Sequence, residues 1–253
     1  MIFDYPIPFS IAVFVLLAFS AWFGAAVLGR RRDPAEDIDD DFGKILAATL
    51  TLLGLIIGFT FSMALGRYDQ RKNYEEQEAN AIGTEYVRAD LLPASDAAKV
   101  RALLLSYVDQ RVLFYTVRDE EQLQQINAET GRLQAKLWAA VVAPASAQPT
   151  PPMALALAGM NDVLNAQGYT QAAWWNRIPI AAWALMVAIA ICSTMLVGIG
   201  AKTGKADSRL LSVLPLVVSI AFCLIADLDS PRRGVIRVIP QNLLSLSQSL
   251  RAQ

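Results

Sequence analysis

The stretch ILAATLTLLGLIIGFTFSMAL, Ile45 to Leu65, decides the fold, and the residues that follow it, Gly66-Arg67-Tyr68-Asp69-Gln70-Arg71-Lys72-Asn73, decide what that fold leads into. These 21 residues carry no charge, and as a helix they rise about 31 Å, enough to cross the hydrocarbon core of a bilayer. At 100° per residue, Ala48, Thr51, Leu55, Gly58 and Ser62 share one stripe with Gly54 beside it, while Leu46, Leu53, Ile57 and Ala64 face the other way. One face is therefore small and weakly polar, the other larger and apolar. No proline occurs from Leu65 until Pro93, so the spacing predicts that this second span continues as a long helix beyond the membrane.

Three more apolar runs flank it. The first, Ile7 to Leu28, is preceded by Asp4 and followed by Arg30, Arg31 and Arg32, the reverse of the charge order of a cleaved leader, so it is expected to stay as an anchor. The third, Ile178 to Ile199, follows Trp174, Trp175, Asn176 and Arg177, a composition suited to the headgroup level. A short loop with Lys202 and Lys205 returns the chain antiparallel into a fourth span, Leu210 to Ala226, which Pro215 is expected to kink. The expected fold is all-α: residues 1–66 form a first transmembrane hairpin, 67–177 an inserted soluble helical domain, 178–226 a second hairpin and 227–253 a polar, amphipathic tail with Leu243, Leu244 and Leu246.

Within 67–177, Ser95 is expected to cap a helix bearing Val100, Leu103, Leu104, Tyr107, Val108, Val112 and Tyr115 at three- and four-residue spacing. A similar helix runs from Asp119 to about Val141, and residues 143–152, with Pro144, Pro149, Pro151 and Pro152, read as an extended connector. A last helix leads to Trp174.

Composition agrees with a bilayer protein: 55% of residues are hydrophobic and 18% charged. A net charge of −1 with no uncompensated cluster of Lys and Arg argues against a nucleic-acid partner. Histidine is absent, which removes the usual general base and the usual nucleophile-activating partner, so no catalytic set can be assembled and no enzyme is expected. Cys192 and Cys223 each lie within an apolar run and read as packing residues. Asp37, Asp39, Asp40 and Asp41 lack the spacing of a calcium loop and read as a solvated acidic turn, so neither metal nor cofactor is expected. Asp227 and Asp229 are expected to cap the fourth span or pair with Arg232 and Arg233.

Two features allow two readings each. The small stripe through Thr51, Gly54, Gly58 and Ser62 serves either close helix packing or an ion path. Arg67, Arg71 and Lys72 lie within a turn and a half where the helix leaves the bilayer. In an oligomer they form an anion-attracting ring; in a monomer they are snorkelling residues. Lys and Arg counts place both short loops in the cytoplasm, and hence the termini and soluble domain outside.

Three motifs carry a family resemblance: Gly58-Phe59-Thr60-Phe61-Ser62-Met63-Ala64-Leu65-Gly66-Arg67-Tyr68; Glu78-Ala79-Asn80-Ala81-Ile82-Gly83-Thr84-Glu85-Tyr86 with Arg88-Ala89-Asp90-Leu91-Leu92-Pro93; and Leu228-Asp229-Ser230-Pro231 with Gly234 and Arg237. Together they resemble the bestrophin-like family of bacterial and plant membrane proteins, more distantly related to bestrophin anion channels. The resemblance implies a pentamer whose second spans line a hydrophobic neck, with Phe59 at that neck and Leu55 and Thr51 one and two turns earlier. Thr51 departs from the apolar pattern of the neck. The acidic calcium clasp of animal bestrophins is missing from the tail, so calcium gating is not implied. Bestrophins keep their soluble helices in the cytosol, opposite to the side given by the charge count.

The function expected is a homo-oligomeric, anion-preferring channel in a bacterial inner membrane. Thr51, Leu55, Gly58, Phe59 and Ser62 line its pore, Arg67, Arg71 and Lys72 form a ring at the exit, and chloride or another small anion is its ion. The competing expectation is a membrane-anchored interaction or sensory protein whose helical domain binds a partner.

Overall fold

The computed structural model describes residues 5–28, 40–201 and 208–252. The readings placed on Asp4, Arg30, Arg31, Arg32, Asp37, Asp39, Lys202 and Lys205 lie outside the described residues. The regular elements among those described are helices: α1 (Pro6–Phe23), continued by a wider turn Gly24–Leu28; α2 (Asp40–Arg88), closed by a 3₁₀ turn Ala89–Leu91; α3 (Ala94–Thr116); α4 (Glu120–Ala147); α5 (Pro151–Trp175); α6 (Ile180–Gly200); α7 (Ser208–Asp229); and α8 (Gln241–Arg251). Among the described residues, four helical stretches are long and apolar enough to cross a membrane, and they contain the four expected spans. At 49 residues, α2 is about 73 Å long, more than twice the thickness of a hydrocarbon core, as the missing proline foretold.

The chain divides into two compact units, Met1–Arg67 with Arg177–Ile236, and Tyr68–Asn176 with Arg237–Gln253. In the first, α1 packs on both α6 and α7. The Ser20 hydroxyl donates to the Ile191 carbonyl of α6 at 3.0 Å, and the Ser10 hydroxyl to the Ser219 carbonyl of α7 at 3.2 Å. Trp183 lies edge-on to Phe9 at 5.2 Å and to Phe222 at 6.1 Å, joining the three helices through one aromatic cluster. At the other end of α1, glycine is obligatory. A Cβ on Gly198 would lie 2.9 Å from the Ala25 nitrogen and 3.0 Å from the Ala21 carbonyl carbon, and one on Gly24 would lie 3.1 Å from the Met195 carbonyl carbon. Backbone meets backbone there, the closest packing that two membrane helices achieve.

In the second unit, α3, α4 and α5 enclose a core that includes Leu104, Tyr107, Phe114, Leu137, Met160 and Val163. Four local expectations are corrected here. Ser95 does not cap α3: Pro93 holds the cap position at φ −54° and ψ 145°, and its carbonyl accepts from both Asp96 and Ala97. The extended connector shrinks to residues 148–150, because α4 runs through Pro144 to Ala147 and α5 begins on Pro151. Proline at the first helical position gives up an N–H that would lack an intrahelical partner anyway. Trp174 is buried between Phe114, at 4.9 Å, and Tyr115, at 5.4 Å, so that only Trp175, 73% exposed, has the exposure of a headgroup-level residue. The tail is not a separate segment: α8 buries Leu243 and Leu250 in this unit, and Arg251 pairs with Asp109 of α3 at 2.6 Å.

Candidate pore face and the buried carboxylates of the second helix

Within its span, α2 turns Leu53, Thr60 and Ala64 into the protein, in line with the larger, apolar face read from the wheel. Thr51, Leu55, Gly58, Phe59 and Ser62 are exposed, Phe59 to 64%. Only 11% of the most apolar window of this helix is buried, against 28%, 28% and 39% for the other three spans. A Cβ built on Gly54, Gly58 or Gly66 would meet nothing within 4 Å. Among the described residues these glycines therefore meet no packing partner, in contrast to Gly24 and Gly198. The Thr51 hydroxyl donates to the Ala47 carbonyl at 2.8 Å, which satisfies it without a partner helix.

The three basic residues after the span differ in burial and partners. Arg67 pairs with Asp229 at 3.7 Å, and Arg177 pairs with the same carboxylate at 3.3 Å. Asp229 also accepts from the Ile178 N–H at 3.1 Å, so this buried carboxylate ties α2 and the chain entering α6 to the end of α7. Arg71 is 1% exposed. Its Nε donates to the Ala173 carbonyl at 3.2 Å and its Nη2 to that of Asn176 at 3.4 Å, placing a cation on the negative end of α5. Lys72 is exposed. Arg71 is thus corrected from a ring residue to a cap for α5, because position 71 follows Ala64 by seven residues and shares its inward face.

Asp227 and Asp229 are the carboxylates expected to cap the fourth span or to pair with Arg232 and Arg233, and both bind backbone N–H groups at its end. Asp227 accepts from the Val235 and Ile236 N–H groups, each at 2.7 Å, and folds the chain after α7 back on itself. Gly234 makes this possible, since a Cβ there would stand 2.7 Å from the Asp227 carbonyl oxygen. Arg233 lies over the Tyr5 ring at 4.7 Å.

Beyond the span, the inward face of α2 carries three buried carboxyl groups, Glu75, Glu78 and Glu85. Glu75 accepts from the Leu243 N–H at 2.9 Å and the Asn242 amide at 2.7 Å, capping α8 through space. Glu78 forms a buried ion pair with Arg111 and accepts from Thr170 at 3.1 Å and Tyr115 at 3.4 Å. Burial, reinforced by the Glu78 charge, pushes the Tyr107 and Tyr115 phenols well above their usual range. Glu85 lies beside Gly159 of α5, and neither of its oxygens has a hydrogen-bond partner among the described residues. Burial pushes this carboxyl up to about 8, with Arg88 acting in the opposite direction and Asp162 in the same one. Glu78 and Glu85 fall within the second family motif, which by itself assigns them no role. The available signal was their spacing: 71, 75, 78 and 85 continue the inward stripe of 53, 60 and 64.

The class defined by this architecture is an all-helical integral membrane protein with four candidate spans. A family model described as Bestrophin-like domain matches residues 11–243, and the chain belongs to the Bestrophin-like family. Among solved structures, it is similar in fold to a bacterial bestrophin homologue from Klebsiella pneumoniae, at 14% identity and a TM-score of 0.64, over 94% of this chain and 98% of that one. A variant of that homologue with a single substitution gives 12% identity and a TM-score of 0.67, over 96% and 98% of the two chains. Comparison of the sequence with curated proteins finds no match.

Proposed function

We propose that this protein is a homo-oligomeric ion channel with anion preference, five copies placing α2 around a common axis. The observation that carries the proposal is the exposed face of the second span. Small and hydroxyl-bearing residues alternate there with Leu55 and Phe59, and the glycines have open space where an intrachain packing surface would have a neighbour. Thr51, Leu55, Gly58, Phe59 and Ser62 are assigned to the pore lining, with Phe59 as the constriction that excludes water when the path is closed. Kinship with bestrophin anion channels supports the preference for chloride or another small anion. Lys72 is the exposed cation at the exit; Arg67 and Arg71 act mainly by holding the spans and α5. Asp69 and Glu76 are exposed on the same stretch and offset Lys72, so this stretch does not itself supply the anion preference.

The test is chloride efflux from liposomes containing the purified protein. The wild-type protein should pass chloride faster than sodium, and Phe59→Ala should raise the rate on the order of several-fold by widening and wetting the constriction. No flux from either form, with the oligomer intact, would instead favour a membrane-anchored interaction protein.

A further inference from the structure

The carboxyl of Glu85 is enclosed more completely than its surroundings justify for a charged group. The residue is fully buried, and neither oxygen accepts or donates a hydrogen bond among the described residues. Gly159 of α5 makes room for it: a Cβ there would overlap the carboxyl and stand 3.0 Å from Cδ of Arg88. Arg88 stands beside the carboxyl, its Nη1 2.5 Å from that same Cβ position, and reaches Asp162 of α5 at 4.0 Å, but it makes no hydrogen bond to either Glu85 oxygen. Around this contact, the turn after α2 holds Asp90 in an ion pair with Arg101 of α3, and α8 presents the apolar Leu246 to Gly83. The charged groups acting on Glu85 are thus Arg88 from its own helix and Asp162 from α5. An ionised carboxylate without donors costs several kcal/mol to bury, whereas the neutral acid costs far less.

We propose that Glu85 is a proton-binding residue, seated against Gly159 as the neutral acid, whose ionisation loosens the contact between α2 and α5. The inference does not rest on the channel reading, and its readout is stability. The folded-state value, about 8, lies above the ordinary 4.5. Stability is therefore full at acid pH below the ordinary value and is lost as pH rises from there towards about 8.

The experiment follows thermal unfolding of the purified full chain from pH 5 to pH 9. Relative to Glu85→Gln, the wild-type midpoint should fall by about 5 °C or more across that range. Asp162→Asn, an exposed change that removes a repelling charge and releases Arg88, should shrink the fall. Infrared spectra provide a second measurement on the wild-type protein: a protonated-carboxyl band at pH 6.5 that disappears above pH 9. Identical pH dependence in the wild type and Glu85→Gln would overturn the proposal. So would absence of the band, which remains decisive even where Glu85→Gln fails to fold.

Discussion

Arg111→Met should destabilise the fold by about 3–5 kcal/mol, the usual penalty for leaving one member of a buried ion pair alone. Arg111 and Glu78 are both fully buried, and Arg111 also lies over the Phe114 ring at 4.4 Å. Methionine restores most of the lost volume and apolar contact but leaves Glu78 with only the Tyr115 and Thr170 hydroxyls among the donors described for it. The double change Arg111→Met with Glu78→Gln removes both charges and should recover most of the loss, because the penalty lies in the unpaired charge and not in the missing bond. Thermal unfolding and expression yield of the single and double variants measure this directly. A single variant as stable as the wild type would mean that the pair does not hold α2 to α3.

The second large effect concerns glycine. Gly198→Ala should cost about 3 kcal/mol or more, at or above the top of the usual range for overpacking, because the added methyl meets backbone atoms of α1, which cannot rotate away. Gly24→Ala meets the α6 backbone from the other side and should behave alike. Gly58→Ala is the matched control. Its methyl meets nothing within 4 Å in the chain, so folding of the subunit should be unchanged or slightly improved by better helix propensity. Any deficit in Gly58→Ala should therefore show only in assembly or flux. Equal losses in Gly198→Ala and Gly58→Ala, measured by unfolding of the subunit, would contradict this division.

These two predictions also mark what could be read without coordinates. The spans were legible because a bilayer demands about 20 uncharged residues and tolerates little else. The length of α2 was legible from the gap before Pro93, and the inward placement of Leu53 and Ala64 from the wheel. Other assignments depended on partners distant in the chain. Arg71 reads as an exit cation until Ala173 and Asn176 are brought to it, and Trp174 reads as an interfacial residue until Phe114 and Tyr115 enclose it. Glu75 caps a helix that begins more than 160 positions later, a relation that no local pattern records. Prolines 144 and 151 misled for a different reason: one is tolerated near a helix end and the other begins a helix, so a cluster of prolines marked two helix termini and only a three-residue break. The stripe on the second span was visible as a pattern, but the open space around Gly54 and Gly58 was not.

The measurement that bears most directly on the proposed function is a structure of the purified protein in lipid. Expected is a closed ring of copies with Thr51, Leu55, Gly58, Phe59 and Ser62 of each α2 facing an axial opening narrowest at Phe59. A monomer, a ring that turns these residues to lipid, or a ring whose centre is filled by lipid would contradict it.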